Sequence, residues 1–283
     1  MDYSEGYLPG HDQSKLFFRC WKALAENYVA IIIHGFGEHS GRYRHVVEAL
    51  SQNGTCYLYD QRGHGLSEGR RGVIHEFDEL SLDLREMLEW VSDRHPRTPI
   101  FLIGHSLGGL VILYSLLSYP YDVQGVVLSN PVLKIDVTVP LWKRLSVNLL
   151  SRWLPIVTLH NEIDFKALTR DQKMLDALNI DVYVHQRISG RFYTEMLRAM
   201  EFVYRQSFQI SLPLLFLVGS EDKVVNPQMS YDFFKHIESK DKDLKIYKGY
   251  YHEIFNDIGR EAVFKDLNQW LAEQVAREKK HAV

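Results

Sequence analysis

The sequence predicts an α/β fold, with a mostly parallel central sheet, helices on both faces and one inserted, mainly helical segment. Three observations carry that prediction. Short apolar runs without polar alternation recur along the chain, as they do in strands buried on both faces. Helical periodicities fall between these runs, which is the rhythm of an α/β layer structure. That rhythm breaks once, in a stretch rich in Trp and Pro, and then resumes.

Residues 5–8 and 15–21, joined by Pro9-Gly10, read as an antiparallel hairpin at a sheet edge. Residues 28–33 contain Val29-Ala30-Ile31-Ile32-Ile33, a β-branched run that suits a buried strand. Asn53-Gly54-Thr55 reads as a turn, and 55–59 as the next strand. Over 78–93 the apolar residues Leu80, Leu84, Met87, Leu88 and Val91 recur at three- and four-residue steps, which predicts an amphipathic helix. Residues 100–103 form another strand, and 106–119 an apolar helix that Pro120 stops. A strand over 124–128 closes the first block.

The break spans 134–205, with helical stretches expected at 166–178 and 191–204. It divides the core into residues 1–133 and 206–283, with the inserted segment as a cap. Strands follow at 214–218 and 243–248. A closing helix over 261–276 carries Val263, Leu267, Trp270, Leu271 and Val275 on one face.

Composition narrows the function. The chain has 283 residues, 46% hydrophobic and 24% charged, with a net charge of −3, so it is globular and lacks the basic excess of a nucleic-acid binder. Cys20 and Cys56 are too few for a disulfide framework. The acidic, polar N-terminus shows no secretory signal, and no apolar run reaches the roughly 18 residues a spanning helix needs, so a cytoplasmic location is expected.

The strongest chemical signal is Gly104-His105-Ser106-Leu107-Gly108, a G-x-S-x-G between a strand and a helix. The flanking glycines allow a sharp turn that exposes the serine at a helix N-terminus, as an acyl-transfer nucleophile requires. Such a nucleophile also needs oxyanion donors, a base and an acid that orients the base. His34-Gly35-Phe36-Gly37-Glu38 follows the strand at 28–33, so the Phe36 and Leu107 amides are the candidate donors. The acid lies after the strand at 214–218, in Glu221-Asp222, and either carboxylate fits. His252 follows the last strand and is placed as the base, whereas His236 falls in a helix and His281 in the tail. No metal spacing is present, since His252-Glu253 lacks the second histidine of H-E-x-x-H. The loop at 60–69 reads as a turn network bracing the oxyanion loop.

These motifs resemble the α/β-hydrolase superfamily, and within it the monoacylglycerol lipase and lysophospholipase branch. The resemblance rests on residues 34–43 (His-Gly-Phe-Gly-Glu-His-Ser-Gly-Arg-Tyr), 63–69, 104–109, Gly219-Ser220-Glu221-Asp222 and Tyr251-His252-Glu253. It implies an α/β-hydrolase fold and a cofactor-independent serine esterase acting on a single-chain lipid ester. Ser106 would be the nucleophile, Asp222 the orienting acid and His252 the base. Glu38, Arg42 and His105 match positions near the head-group end of the pocket. Members selective for glycerol supply a cap tyrosine there, and Leu178 stands at that place in this chain. A serine aminopeptidase of the same fold would instead need cap acids, for which Glu162, Asp164 and Glu195 are available. A receptor that retains the fold is the non-enzymatic alternative. Trp142 and Trp153, among Lys143, Arg144 and Arg152, suit a cap that touches an anionic membrane surface.

Overall fold

The computed structural model describes residues 2–133 and 151–281. Its main sheet has eight strands: β1 (Asp2–Pro9), β2 (Lys15–Lys22), β3 (Tyr28–Ile33), β4 (Gly54–Tyr59), β5 (Ile100–His105), β6 (Gly125–Ser129), β9 (Leu214–Gly219) and β10 (Lys242–Tyr247). Their spatial order is β1-β2-β4-β3-β5-β6-β9-β10. Only β1–β2 and β2–β4 pair antiparallel; from β4 to β10 every neighbour is parallel.

β3, β4, β5, β6 and β9 are buried along their whole length, as their unalternating apolar sequences predict. Successive side chains still point to opposite faces and feed two separate cores. Val29, Ile31 and Ile33 pack with α2 (Asp78–Ser92), α3 (Leu107–Ser118), α5 (Gly190–Gln206) and α6 (Pro227–His236). Ala30 and Ile32 pack on the other face with α1 (Arg44–Leu50) and α7 (Arg260–His281). The mostly parallel sheet with helices on both faces is therefore present as expected.

Two segments between β6 and β9, β7 (Thr158–His160) and β8 (Arg187–Ser189), pair antiparallel as a small separate sheet. Between these strands lies α4 (Gln172–Ile180). The single helix expected at 166–178 is instead a short 3₁₀ turn over Phe165–Ala167 followed by α4. The interruption has a local cause. Thr169 donates to the Asn256 carbonyl, and the Arg170 amide and guanidinium both donate to Asp257, so the chain is pinned before Asp171 caps the helix. The hairpin connection also differs from Pro9-Gly10 alone. Pro9 pairs with Lys15, and the Gly10 amide donates to the Ser14 carbonyl, so residues 10–14 make the turn.

The loop at 60–69 braces its neighbours as expected. Asp60 accepts from the Ser40 and Leu66 amides, and the Gln61 amide and side chain bond His34 on the oxyanion loop. Arg62 pairs with Asp83 and Asp12 beside His11, tying this loop to α2 and the hairpin turn.

Candidate active site

Ser106 stands at the carboxyl end of β5, the strand flanked by β3 and β6, and opens α3. Its backbone has φ 52°, a conformation costly for a residue with a Cβ. Two close approaches hold the turn. A Cβ on Gly104 would lie 2.7 Å from the Gly108 backbone, and one on Gly108 would lie 2.2 Å from the Ile33 carbonyl oxygen. Only glycines allow β3, β5 and α3 to meet this tightly.

The segments after β9 and β10 bring Asp222 and His252 to the serine. Ser106 Oγ lies 2.9 Å from His252 Nε2, and His252 Nδ1 lies 2.6 Å from Asp222 Oδ2. A carboxylate only accepts, so Nδ1–H donates to Asp222, and the neutral ring leaves Nε2 free to accept from Ser106. Asp222 is itself fixed by the Val224 and Val225 amides at 2.8 and 2.9 Å. Of the two candidate acids, Asp222 is the one that reaches the histidine, whereas Glu221 is exposed.

All three side chains are buried. Burial works against an imidazolium, but the adjacent Asp222 carboxylate, with Glu253 and Glu38 beyond it, outweighs that and raises the His252 pKa above its ordinary value. His105, whose ring lies 4.9 Å from that of His252, moves the other way: burial and the His252 charge push it down to about 4, so it is neutral.

The Phe36 amide has no acceptor among the described residues, and the Leu107 amide sits in the first turn of α3, where no intrahelical carbonyl is available. Beside them, Glu38 accepts from the Gly35 amide and the Tyr43 hydroxyl, both at 2.7 Å. Arg42 then bridges Glu38 at 2.6 Å to Glu253, which it grips with both terminal nitrogens at 2.8 and 2.6 Å. Burial alone would raise the Glu253 pKa, but Arg42 prevails and lowers it to about 2. Glu38 and Arg42 thus form a buried ion network that also faces the cleft.

That cleft, open to solvent, is lined by Ser106, His252, Glu38, Arg42, Glu253 and His105 from the core. Its far wall comes from Asn161, Ile163, Phe165, Leu168, Leu178 and the 184–186 segment. The expected Leu178 is therefore in the wall, with no phenol in its place. Glu162 and Asp164 are exposed and Glu195 pairs with Arg198; none of the three lines the cleft.

Sequence reasoning missed Asn130. Its side-chain oxygen accepts from the Gly219 amide at 3.0 Å, and its amide nitrogen donates to the His252 carbonyl. One side chain thereby links the ends of β6, β9 and the histidine loop. Its only sequence signal is a polar residue directly after an apolar strand.

Comparison with known proteins agrees with this architecture. Residues 26–259 match the family model described as Hydrolase_4, serine aminopeptidase, S33. The rat (Rattus norvegicus) monoglyceride lipase is 31% identical over 276 residues, covering 95% of this chain and 91% of that protein. Among solved structures, the monoacylglycerol lipase of Paleococcus ferrophilus superposes with a TM-score of 0.84 at 32% identity, covering 92% of this chain and 99% of that one. A monoglyceride lipase variant from Saccharomyces cerevisiae, solved with a substrate analogue, has a TM-score of 0.85 at 24% identity over 95% and 94% of the two chains, a likeness of fold. With the family model spanning most of the chain and the serine, histidine and carboxylate meeting above the sheet, this chain belongs to the α/β-hydrolase superfamily, in the branch that contains the monoglyceride lipases.

Proposed function

We propose that this carboxylic ester hydrolase cleaves monoacylglycerols through an acyl-enzyme on Ser106. The observation that carries the reading is the hydrogen-bonded relay from Ser106 Oγ to His252 Nε2 at 2.9 Å and from His252 Nδ1 to Asp222 at 2.6 Å. His252 takes the hydroxyl proton as Ser106 attacks the ester carbonyl. The oxyanion that forms is received by the Phe36 and Leu107 amides, each such donor being worth roughly 2.7–4 kcal/mol. The imidazolium returns its proton to the departing alcohol. Water, deprotonated by the same ring, then releases the fatty acid and restores Ser106. Asp222 keeps the ring in the required tautomer throughout.

Charge in the cleft favours a neutral head group over a phosphodiester. The ionisable side chains facing it are Glu38, Glu253 and Arg42 with His105, His185 and His252. The single arginine is already paired with both glutamates, and His105 and His185 are each held near 4. No uncommitted cation lines the cleft among the described residues, so a phosphate would be buried against net negative charge. An aminopeptidase would need a free carboxylate for the substrate ammonium, and the cleft's two glutamates are committed to Arg42. A fold-retaining receptor has no need of a complete, buried relay.

The segment between β6 and β9 serves in this reading as the cap over the acyl chain. Trp142 lies outside the described residues. Trp153 is 69% exposed, and Ile180 and Val182, at 81% and 86%, add apolar surface suited to a lipid interface.

Ser106→Ala is the direct test, with hydrolysis of monoacylglycerol and covalent labelling by a fluorophosphonate as readouts. Both are expected to vanish. Retained turnover in the folded variant sinks the assignment, and wild-type protein that resists the label supports the receptor reading instead.

A further inference from the structure

The cleft wall opposite Ser106 carries two amide side chains, Asn161 and Gln186, whose hydrogen bonding is only half spent. Asn161 follows β7 and Gln186 precedes β8. Their backbones extend that two-stranded ladder by one rung, the Asn161 amide donating to the Gln186 carbonyl at 2.7 Å. They are cross-strand neighbours, so their side chains leave the ladder on one face. That face lines the cleft, whereas the preceding pair, His160 and Arg187, is exposed.

One half of each amide locks the pair in place. Asn161 Oδ1 accepts from the Ile163 amide at 3.3 Å and from Gln186 Nε2 at 3.4 Å, and Gln186 Nε2 donates to the Ile163 carbonyl at 2.7 Å. The other halves, Asn161 Nδ2 and Gln186 Oε1, meet no partner among the described residues. Both side chains line the cavity that also holds Ser106, and each keeps one amide group unspent, a donor on Asn161 and an acceptor on Gln186. Exchanging O and N of either amide still leaves each side chain one donor group and one acceptor.

We propose that Asn161 and Gln186 form the head-group subsite, binding a hydroxyl of the alcohol portion of the ester. A hydroxyl donates once and accepts, so it satisfies both unspent groups at once, which neither a methyl ester nor a quaternary ammonium does. The pair is uncharged and adds nothing to favour phosphate. It also supplies polar recognition to a wall where Leu178 offers none. Its position on a two-stranded ladder, not a free loop, gives the precision that such selectivity needs. The proposal rests on the monoacylglycerol hydrolase reading and adds the residues that select glycerol.

The test compares kcat/KM for 1-monodecanoylglycerol and methyl decanoate, which share an acyl chain and differ in the alcohol hydroxyls. For Asn161→Leu and for Gln186→Met, the ratio of the two values is expected to fall about tenfold, because a site built around a hydroxyl loses its discrimination with the bond. A ratio equal to that of the wild type, whether both rates fall together or neither changes, overturns the subsite while leaving the hydrolase intact. Wild-type protein that cleaves neither ester overturns the hydrolase reading itself, and the subsite with it.

Discussion

His252 is ringed by unequal charges, and in the proposed mechanism these set the pH at which it acts as base. Ser106, Asp222 and His105 touch or face the ring, with Glu253, Glu38 and Arg42 just beyond. Despite burial, the carboxylates raise its pKa, so more of it is protonated at a given pH than an ordinary imidazole near 6.5. A general base must be neutral, so kcat/KM should climb with pH along a limb centred above 6.5. Glu253→Gln removes one of the charges that favour the imidazolium, and its limb should move to lower pH. A limb that stays put or moves upward in that variant contradicts this electrostatic account. At this scale the sequence was informative wherever the chemistry is local: Ser106, Phe36 and Leu107 lie in short motifs, and His252 lies in the loop just past a strand. Choosing Asp222 over Glu221 needed either family resemblance or coordinates, because two adjacent acids in one loop have the same local pattern. Asn130 acts through partners distant in sequence, and Asn161 and Gln186 meet across strands too short to carry a pattern, so no spacing announces them.

Among the elements, the strand–turn–helix around Ser106 is the most constrained. Gly108 brings α3 against β3, with no room for a methyl group beside the Ile33 carbonyl oxygen. The Ile33 and His34 atoms it would meet are all backbone, so no side chain can rotate away. Gly108→Ala should cost at least the roughly 1–3 kcal/mol typical of overpacking, read as a lowered thermal midpoint. A midpoint equal to the wild type means the helix shifts without penalty and refutes the close-packing account. The elements predicted from periodicity that match best are the fully apolar strands and α2, where burial and local preference agree. The expected helix at 166–178 failed for a tertiary reason. Its periodicity is real, but Thr169 and Arg170 are drawn to Asn256 and Asp257 on the loop after β10, and those bonds outcompete a continuous helix. The pairing of β7 with β8 was invisible because three-residue strands carry too little pattern.

Taken whole, the molecule ties the segment above the site to two loops of the core, those after β3 and β10. The His185 amide donates to the Gly37 carbonyl, the Glu253 amide donates to Leu168, and His39 Nε2–H donates to Asp181 at 2.8 Å. α5 goes further, since Phe192, Met196, Ala199, Met200 and Val203 join the core on the β3–β5 face. Asp181 is thereby anchored inward, and its neighbours Ile180 and Val182 project outward. No helix among the described residues is long and apolar enough to cross a membrane. The double variant Ile180→Asp/Val182→Asp should bind anionic phospholipid vesicles more weakly in a sedimentation assay. Its rate on vesicle-borne monoacylglycerol should drop several-fold more than its rate on soluble p-nitrophenyl butyrate. Equal sedimentation of variant and wild type removes this surface from consideration. The sequence by itself determined the parallel sheet, the two helical faces and the serine elbow, because burial periodicity and glycine sterics act over a few residues. Tertiary structure decided which carboxylate meets His252, how Arg42 joins two loops, and which residues between β6 and β9 face the cleft. Those depend on where segments from 30 to 211 residues apart come to rest, which only the packed chain fixes.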